Sequence, residues 1–367
     1  MNHRNQDQLN RIYIKGFKSI KECEIELSNI NVFIGSNGAG KSNFISIFEL
    51  LKKISEQRLS SYAQEEGAGT LFYNGTKETD SFIVGFYFGS SIYSFELNMT
   101  KQDRLNFVEE NVGPENSPWS GSDHNESKLQ DWYNSNNPNI DKKIKDAIVT
   151  ILHGQWRVYH FHDNHSIIKP RKYNISNNEF LQKDAANLAA ILYRLQEQHP
   201  TEYRNILEHV QMIAPYFNDF ILKPKKENEE HIILRWQKKD CEEILYASQL
   251  SDGTLRFICL ATLLLQPSEL QPATIIIDEP ELGLHPFAIT IFSEILQKAA
   301  DNKQIILATQ SVELLNQFEL KDIVVVDSGR NGSEFQRHNQ GDFSEWLEDY
   351  TVGELWNKNI LGGRFAQ

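Results

Sequence analysis

Apolar side chains recur along this chain in blocks whose spacing switches between alternate positions and one face of a helix. After the polar run Met1 to Asn10, the segment Arg11-Ile-Tyr-Ile-Lys-Gly-Phe17 alternates with period two, and Ile25 to Leu27 and Ile30 to Ile34 follow. That period puts every second side chain on one face of an extended chain, so these blocks predict strands. Phe44, Ile45, Phe48 and Leu51 then fall on one side of a helix. Phe82 to Phe88, the turn Gly89-Ser-Ser91 and Ile92 to Leu97 predict a β-hairpin, with Arg104 to Val108 as a further strand of an antiparallel layer. Residues 113 to 139, rich in Asn, Ser, Pro, Gly and acids, predict a mobile surface loop. Helical spacing over Asp184 to Gln198 and Tyr203 to Ile213 predicts a small helical lobe. Hairpin-like runs at Ile232 to Trp236 and Glu243 to Ala247 lead to an apolar helix, Leu255 to Leu265. The run Ala273-Thr-Ile-Ile-Ile277 reads as a parallel strand buried on both faces. Gln304 to Ala308 and Ile323 to Val326 add two more strands. No internal repeat is visible, and no heptad pattern is sustained.

Composition changes this picture little. The 367 residues carry 37 basic and 50 acidic side chains, a net charge of −13, which argues against a general polyanion binder. The longest apolar stretch, Phe257 to Leu265, is broken by Thr262 and falls short of the ~18 residues of a membrane span. Cys23, Cys241 and Cys259 lie too far apart for a CxxC pair and read as reduced thiols. A cytoplasmic protein without a membrane segment is the expectation.

Three motifs carry chemistry. The strand Ile30 to Ile34 runs into Gly35-Ser-Asn-Gly-Ala-Gly-Lys-Ser42 and then a helix, the context of a phosphate-binding loop. Its glycines let successive N–H groups converge on phosphate oxygens, and the helix start adds its positive end. Asn37, Gly38, Ala39, Gly40, Lys41, Ser42 and Asn43 are thus the candidate nucleotide contacts, with Lys41 on the β and γ phosphates and the Ser42 hydroxyl on Mg²⁺. The second motif ends a buried strand in Asp278-Glu279. Asp278 suits the hydrated metal, and Glu279 the activation of water as general base. The third, Gln249-Leu-Ser-Asp-Gly-Thr254, opens the Leu255 to Leu265 helix; Ser251 and Gly253 either bind a second phosphate group or simply cap that helix.

Together with Glu281-Leu-Gly-Leu-His-Pro286, these motifs resemble an ABC-class ATPase head, and in particular the SMC, RecF and OLD (overcoming lysogenisation defect) group of AAA-type ATPases. The resemblance implies an α/β P-loop NTPase fold: a mixed sheet bearing both Walker motifs, an antiparallel β layer and a helical lobe. It divides the chain into a disordered 1–10, a head formed by 11–160 and 230–367, and an inserted lobe at 161–229. It implies ATP and Mg²⁺ as cofactors. It also implies a homodimer with ATP sandwiched between one chain's P-loop and the other's Ser251 and Gly253, assembly beyond two chains staying open. The loop Glu281 to Pro286 would then lie at the dimer seam. Asp252 and Thr254 depart from the transporter signature. Gln310 stands where many such heads have a histidine; its amide donates a hydrogen bond to a γ-phosphate but is never cationic, so slow hydrolysis is expected.

Other features stay ambiguous. His160-Phe-His162-Asp163-Asn-His165 reads as a metal site, as packing, or as a family-type sensor of Mg²⁺ and γ-phosphate. The runs Lys169-Pro-Arg-Lys172 and Lys223-Pro-Lys-Lys226 read as DNA backbone contacts or as solvated loops. No Asp-x-Asp pair of a Toprim nuclease is present, and the closing Leu355 to Arg364 pattern is similar to compact ATPases encoded beside a separate Toprim-like protein. The expected role is an ATPase controlling a nuclease or other effector in phage defence or DNA maintenance. An ATP-gated scaffold, a RecF-like repair ATPase and a transporter subunit are the alternatives.

Overall fold

The computed structural model describes residues 8–153, 156–161, 173–174, 178–223 and 231–363. The chain forms two compact units, Met1–Arg157 with Glu319–Gln367, and Val158–Phe318. His162, Asp163, His165, the 169–172 run and residues 224–226 of the second basic run lie outside the described residues.

The first unit begins with the hairpin β1 (Leu9–Phe17) and β2 (Ile20–Glu26), then β3 (Ile30–Ile34), α1 (Lys41–Ser55) and α2 (Leu59–Glu66). β1 starts two residues before Arg11, because Leu9 is buried and pairs with Phe88. Strands β4 (Ser81–Phe88), β5 (Ser91–Met99), β6 (Leu105–Pro114) and β7 (Trp119–Gly121) complete an antiparallel sheet of order β2-β1-β4-β5-β6-β7. The alternation seen in the sequence is the burial pattern: Ile12, Ile14, Val84, Phe86, Phe95 and Leu97 all face the core.

Residues 113–139 are not a loop throughout. They contain β7 and α3 (Leu129–Asn134), and α4 (Lys142–Leu152) follows. Two contacts account for the order. The Trp132 ring packs so close to Gly121 that a Cβ there would lie 2.6 Å from Cζ2. Glu110, fully buried on β6, accepts hydrogen bonds from Tyr93 Oη (2.8 Å), Ser127 Oγ (2.6 Å) and the Lys128 N–H (3.0 Å), with His124 Nε2 at 2.9 Å. A buried carboxylate needs such partners, and here the polar side chains of an apparently loop-like stretch supply them.

The chain enters the second unit at β8 (Trp156–Tyr159). There β9 (Tyr173–Asn174), α5 (Leu188–Gln198), α6 (Pro200–Ile213), β10 (Phe217–Phe220), β11 (His231–Ile232), β12 (Arg235–Lys238) and β13 (Ile244–Tyr246) precede α7 (Asp252–Leu265). The helix expected from Asp184 starts at Leu188, since Ala185 sits at φ +51° and the Asp184 carboxylate accepts from the Ala186 N–H in a turn. The strand expected over Ile232 to Trp236 divides: β11 pairs with β9, whereas β12 lies between β10 and β13. Next come β14 (Thr274–Asp278), α8 (Pro286–Ala299), β15 (Gln304–Thr309) and α9 (Val312–Leu315). β14 and β15 are parallel, with Ile276 opposite Ile306 and Asp278 opposite Ala308. Ile275, Ile276 and Ile277 are buried without alternation, as a strand covered on both faces requires.

The first unit closes with β16 (Ile323–Gly329), β17 (Gly332–Arg337), α10 (Ser344–Asp349) and α11 (Val352–Asn357). β16 runs parallel to β3 and antiparallel to β17, which fixes the strand leading into the glycine-rich loop.

Candidate nucleotide site

In the first unit, the loop between β3 and α1 has the shape its sequence implies. A Cβ at Gly35 would lie 2.3 Å from the Val326 carbonyl oxygen of β16, so no other residue passes there. Gly40 has φ +118°, and a Cβ on it would sit 2.0 Å from Ser333 Oγ. Gly40 is also the N-cap of α1, with no side-chain cap and no acidic residue in the first turn. Elsewhere, Asp141 caps α4 and Ser251 caps α7. The start of α1 therefore keeps its N–H groups and partial positive charge for an anion. Lys41 is buried, its Nζ donating to the Gly35 and Ser36 carbonyls at 2.7 and 3.0 Å; Ser42 is exposed at the start of the helix.

Three supports of this loop have no motif of their own. The Asn43 amide, expected among the nucleotide contacts, donates to Ser19 Oγ at 2.6 Å, and Ser19 meets Ser333 at 2.7 Å. Two hairpin turns thereby hold the loop's exit. The Ser36 N–H donates to the Gly363 carbonyl at 3.3 Å, and Gly362 and Gly363 have φ of +78° and +80°. The paired glycines near the C-terminus were the one visible signal for this last support.

In the second unit, the parallel register carries the acidic pair to the C-terminal ends of β14 and β15, where α/β sheets place ligands. Asp278 is half-buried, with His160 Nδ1 3.8 Å from its Oδ2. Glu279 has φ +44°, a left-handed conformation that costs a non-glycine residue about 1–3 kcal/mol and collects at functional sites. Its N–H donates to the Ala308 carbonyl at 2.7 Å, and the Gln310 amide Nε2 donates to its Oε1 at 2.7 Å. The structure thus brings Glu279 and Gln310 together.

Ser251 is the N-cap of α7, accepting from the Thr254 N–H at 3.2 Å and lying 2.8 Å from Thr254 Oγ1. The residue is exposed, so the cap leaves the end of α7 accessible. A Cβ on Gly253 would fall 2.3 Å from the Gly283 carbonyl oxygen, which makes glycine obligatory where the turn after β14 meets this helix.

Ser42 in the first unit and Asp278 in the second each carry a hard oxygen donor of the kind that Mg²⁺ takes. Among the described residues, no group of three His, Cys, Asp or Glu side chains is arranged to hold a metal ion. No helix of the described residues is long and apolar enough to cross a membrane.

Glu281, three residues past Asp278, is 8% exposed. Burial pushes its carboxyl above the ordinary carboxylate range, against the lowering effect of hydrogen bonds from Thr309 and the Gln310 N–H. A carboxyl whose native pKa is raised favours the folded state at low pH and costs stability as pH climbs from the unfolded value through the native one. The Glu281→Gln protein should therefore melt above wild type at pH 8, with the gap closing as pH falls towards 4.5. Thermal melts at the two pH values check this; an unchanged gap contradicts it.

A model of the family described as "AAA domain, putative AbiEii toxin, Type IV TA system" matches residues 30–316. The DNA replication and repair protein RecF of Halothermothrix orenii is 28% identical over 104 residues, 26% of this chain and 27% of that protein. The match thus spans about a quarter of that relative's length. Among solved structures, an SMC head bound to the C-terminal winged-helix domain of ScpA superposes with a TM-score of 0.62 at 14% identity, covering 91% of this chain and 99% of that one. An SMC head with an extended coiled coil from Pyrococcus furiosus, bound to the C-terminal domain of ScpA, gives 0.62 at 13% identity, covering 93% and 98%. Likeness at this identity establishes the fold, an ABC-type head.

Proposed function

We propose that this chain, which belongs to that AAA-domain family and is a compact ABC-class ATPase of the SMC and RecF type, binds and hydrolyses ATP. The observation that carries the reading is the 2.7 Å bond from Gln310 to a Glu279 held in left-handed backbone. Lys41 and the N–H groups from Asn37 to Asn43 hold the triphosphate. Ser42 and Asp278 would hold Mg²⁺, which when bound neutralises charge on the β and γ oxygens. Glu279 takes a proton from the attacking water as its oxygen bonds to the γ-phosphorus and the bond to the β-phosphate oxygen breaks. Gln310 fixes one carboxylate oxygen of that base.

A second copy of the chain completes the site with Ser251 and Gly253 at the accessible start of α7. ATP thereby closes a homodimer and hydrolysis opens it. The relatives support a DNA-linked role: one is a replication and repair protein, and the SMC heads are bound to ScpA. The likeness to OLD-type enzymes supports control of a separate nuclease or other effector, including in phage defence. An ATP-gated scaffold with slow turnover is favoured by one feature, the uncharged amide of Gln310.

Ser251 separates capping from phosphate binding. Aspartate caps as well as serine, while alanine loses about 1 kcal/mol. Ser251→Asp should melt like wild type, yet place a negative charge against the nucleotide and lower hydrolysis by more than about tenfold. Ser251→Ala should lose stability as well. Hydrolysis at the wild-type rate in the Asp variant would reduce Ser251 to a cap.

A further inference from the structure

We infer that Glu281 is a positioning residue of the ATPase reaction, whose buried carboxylate sets the Thr309–Gln310 turn so that the Gln310 amide meets Glu279. The inference rests on the reading of Glu279 as general base.

β15 ends at Thr309, so strand pairing no longer fixes the backbone of residue 310. What fixes it is one oxygen of Glu281. Oε1 accepts from Thr309 Oγ1 at 2.6 Å and from the Gln310 N–H at 3.3 Å. Thr309 Oγ1 in turn accepts from the Ser311 N–H at 3.0 Å, and Ser311 caps α9 through the Leu314 N–H at 3.2 Å. Glu281 thus anchors the start of the 309–311 turn, and the Ser311 cap anchors its end. A glutamine side chain left to itself samples many rotamers, and ordering it costs about 1.5–2 kcal/mol. A turn that presets the Gln310 backbone removes part of that cost before the water arrives, which is preorganisation.

Glu281 Oε2 is buried without a hydrogen-bond partner among the described residues. That unsatisfied oxygen costs stability, a cost the Glu281→Gln melt reads separately from any effect on kcat. Glu281 also lies in the turn that Glu279 begins, with the Leu282 N–H directed at the Glu279 carbonyl (3.4 Å) and the Leu284 N–H at that of Glu281 (2.9 Å). One short segment therefore carries the base and, through Glu281, the residue that aligns the base.

The test is a double-mutant cycle on steady-state phosphate release. Glu281→Leu should lower kcat about 10- to 30-fold and change KM for ATP less than about threefold, the signature of an interaction that matters in the transition state. Glu281→Gln should stay within about threefold of wild type, since its amide oxygen accepts the same two bonds. In a Gln310→Ala background, Glu281→Leu should cost less than about twofold further, because its effect passes through Gln310. If Glu281→Leu fails to fold, Thr309→Val carries the same cycle with Gln310→Ala. Full additivity in either cycle, or a Glu281→Leu kcat equal to wild type, overturns the inference alone. No phosphate release by the wild-type protein overturns the ATPase reading and this inference with it.

Discussion

Glu279→Gln protein releases phosphate from ATP at least about 100-fold more slowly than wild type, while its affinity for ATP stays within a few-fold. The substitution keeps the size of the side chain and an oxygen that accepts from Gln310 Nε2, so the contact at 2.7 Å survives. What disappears is the basic carboxylate. The backbone at φ +44° is equally strained for Gln and Glu, which keeps the local fold comparable. Single-turnover phosphate release, alongside a binding titration with a fluorescent ATP analogue, separates the two effects. Near-normal turnover in this variant would mean that another group takes the proton.

The second large effect falls on binding itself. Lys41→Ala should raise the Kd for ATP at least about 100-fold, because a charge-assisted contact to two phosphates is lost. Stability should change little by comparison. The Lys41 ammonium donates to the Gly35 and Ser36 carbonyls of its own loop at 2.7 and 3.0 Å, whereas the loop's path is set by β3, β16 and the glycines. Calorimetric titration with ATP measures the first quantity and a thermal melt the second. Unchanged affinity contradicts the placement of phosphate at this loop.

Part of this site is legible in the amino-acid sequence itself. The GxxxxGKS run follows a strand and opens a helix, and each of those contexts is local. The acidic pair closes an isoleucine strand, and burial on both faces was written in the absence of alternation. The Gln310–Glu279 bond was not legible, because it spans 31 residues and depends on the parallel register that sets Asp278 opposite Ala308. The Glu281 contact to Thr309 was hidden for the same reason. Residues 113–139 misled for a different one: composition cannot tell solvated polar side chains from those gathered around a buried Glu110. Asn43 directly follows the motif, yet its amide is held by Ser19, which no local pattern couples to it.

The sequence also left Ser251 with two roles. The structure gives the capping bond to Thr254 directly, and the phosphate role depends on a second chain. Light scattering of the Glu279→Gln protein, with and without ATP and Mg²⁺, tests that dependence most directly. Its mass should double on addition of ATP and Mg²⁺, and Ser251→Asp in the same background should stay at the mass of one chain. A single-chain mass at saturating ATP, or a dimer indifferent to both ATP and Ser251→Asp, would contradict the account.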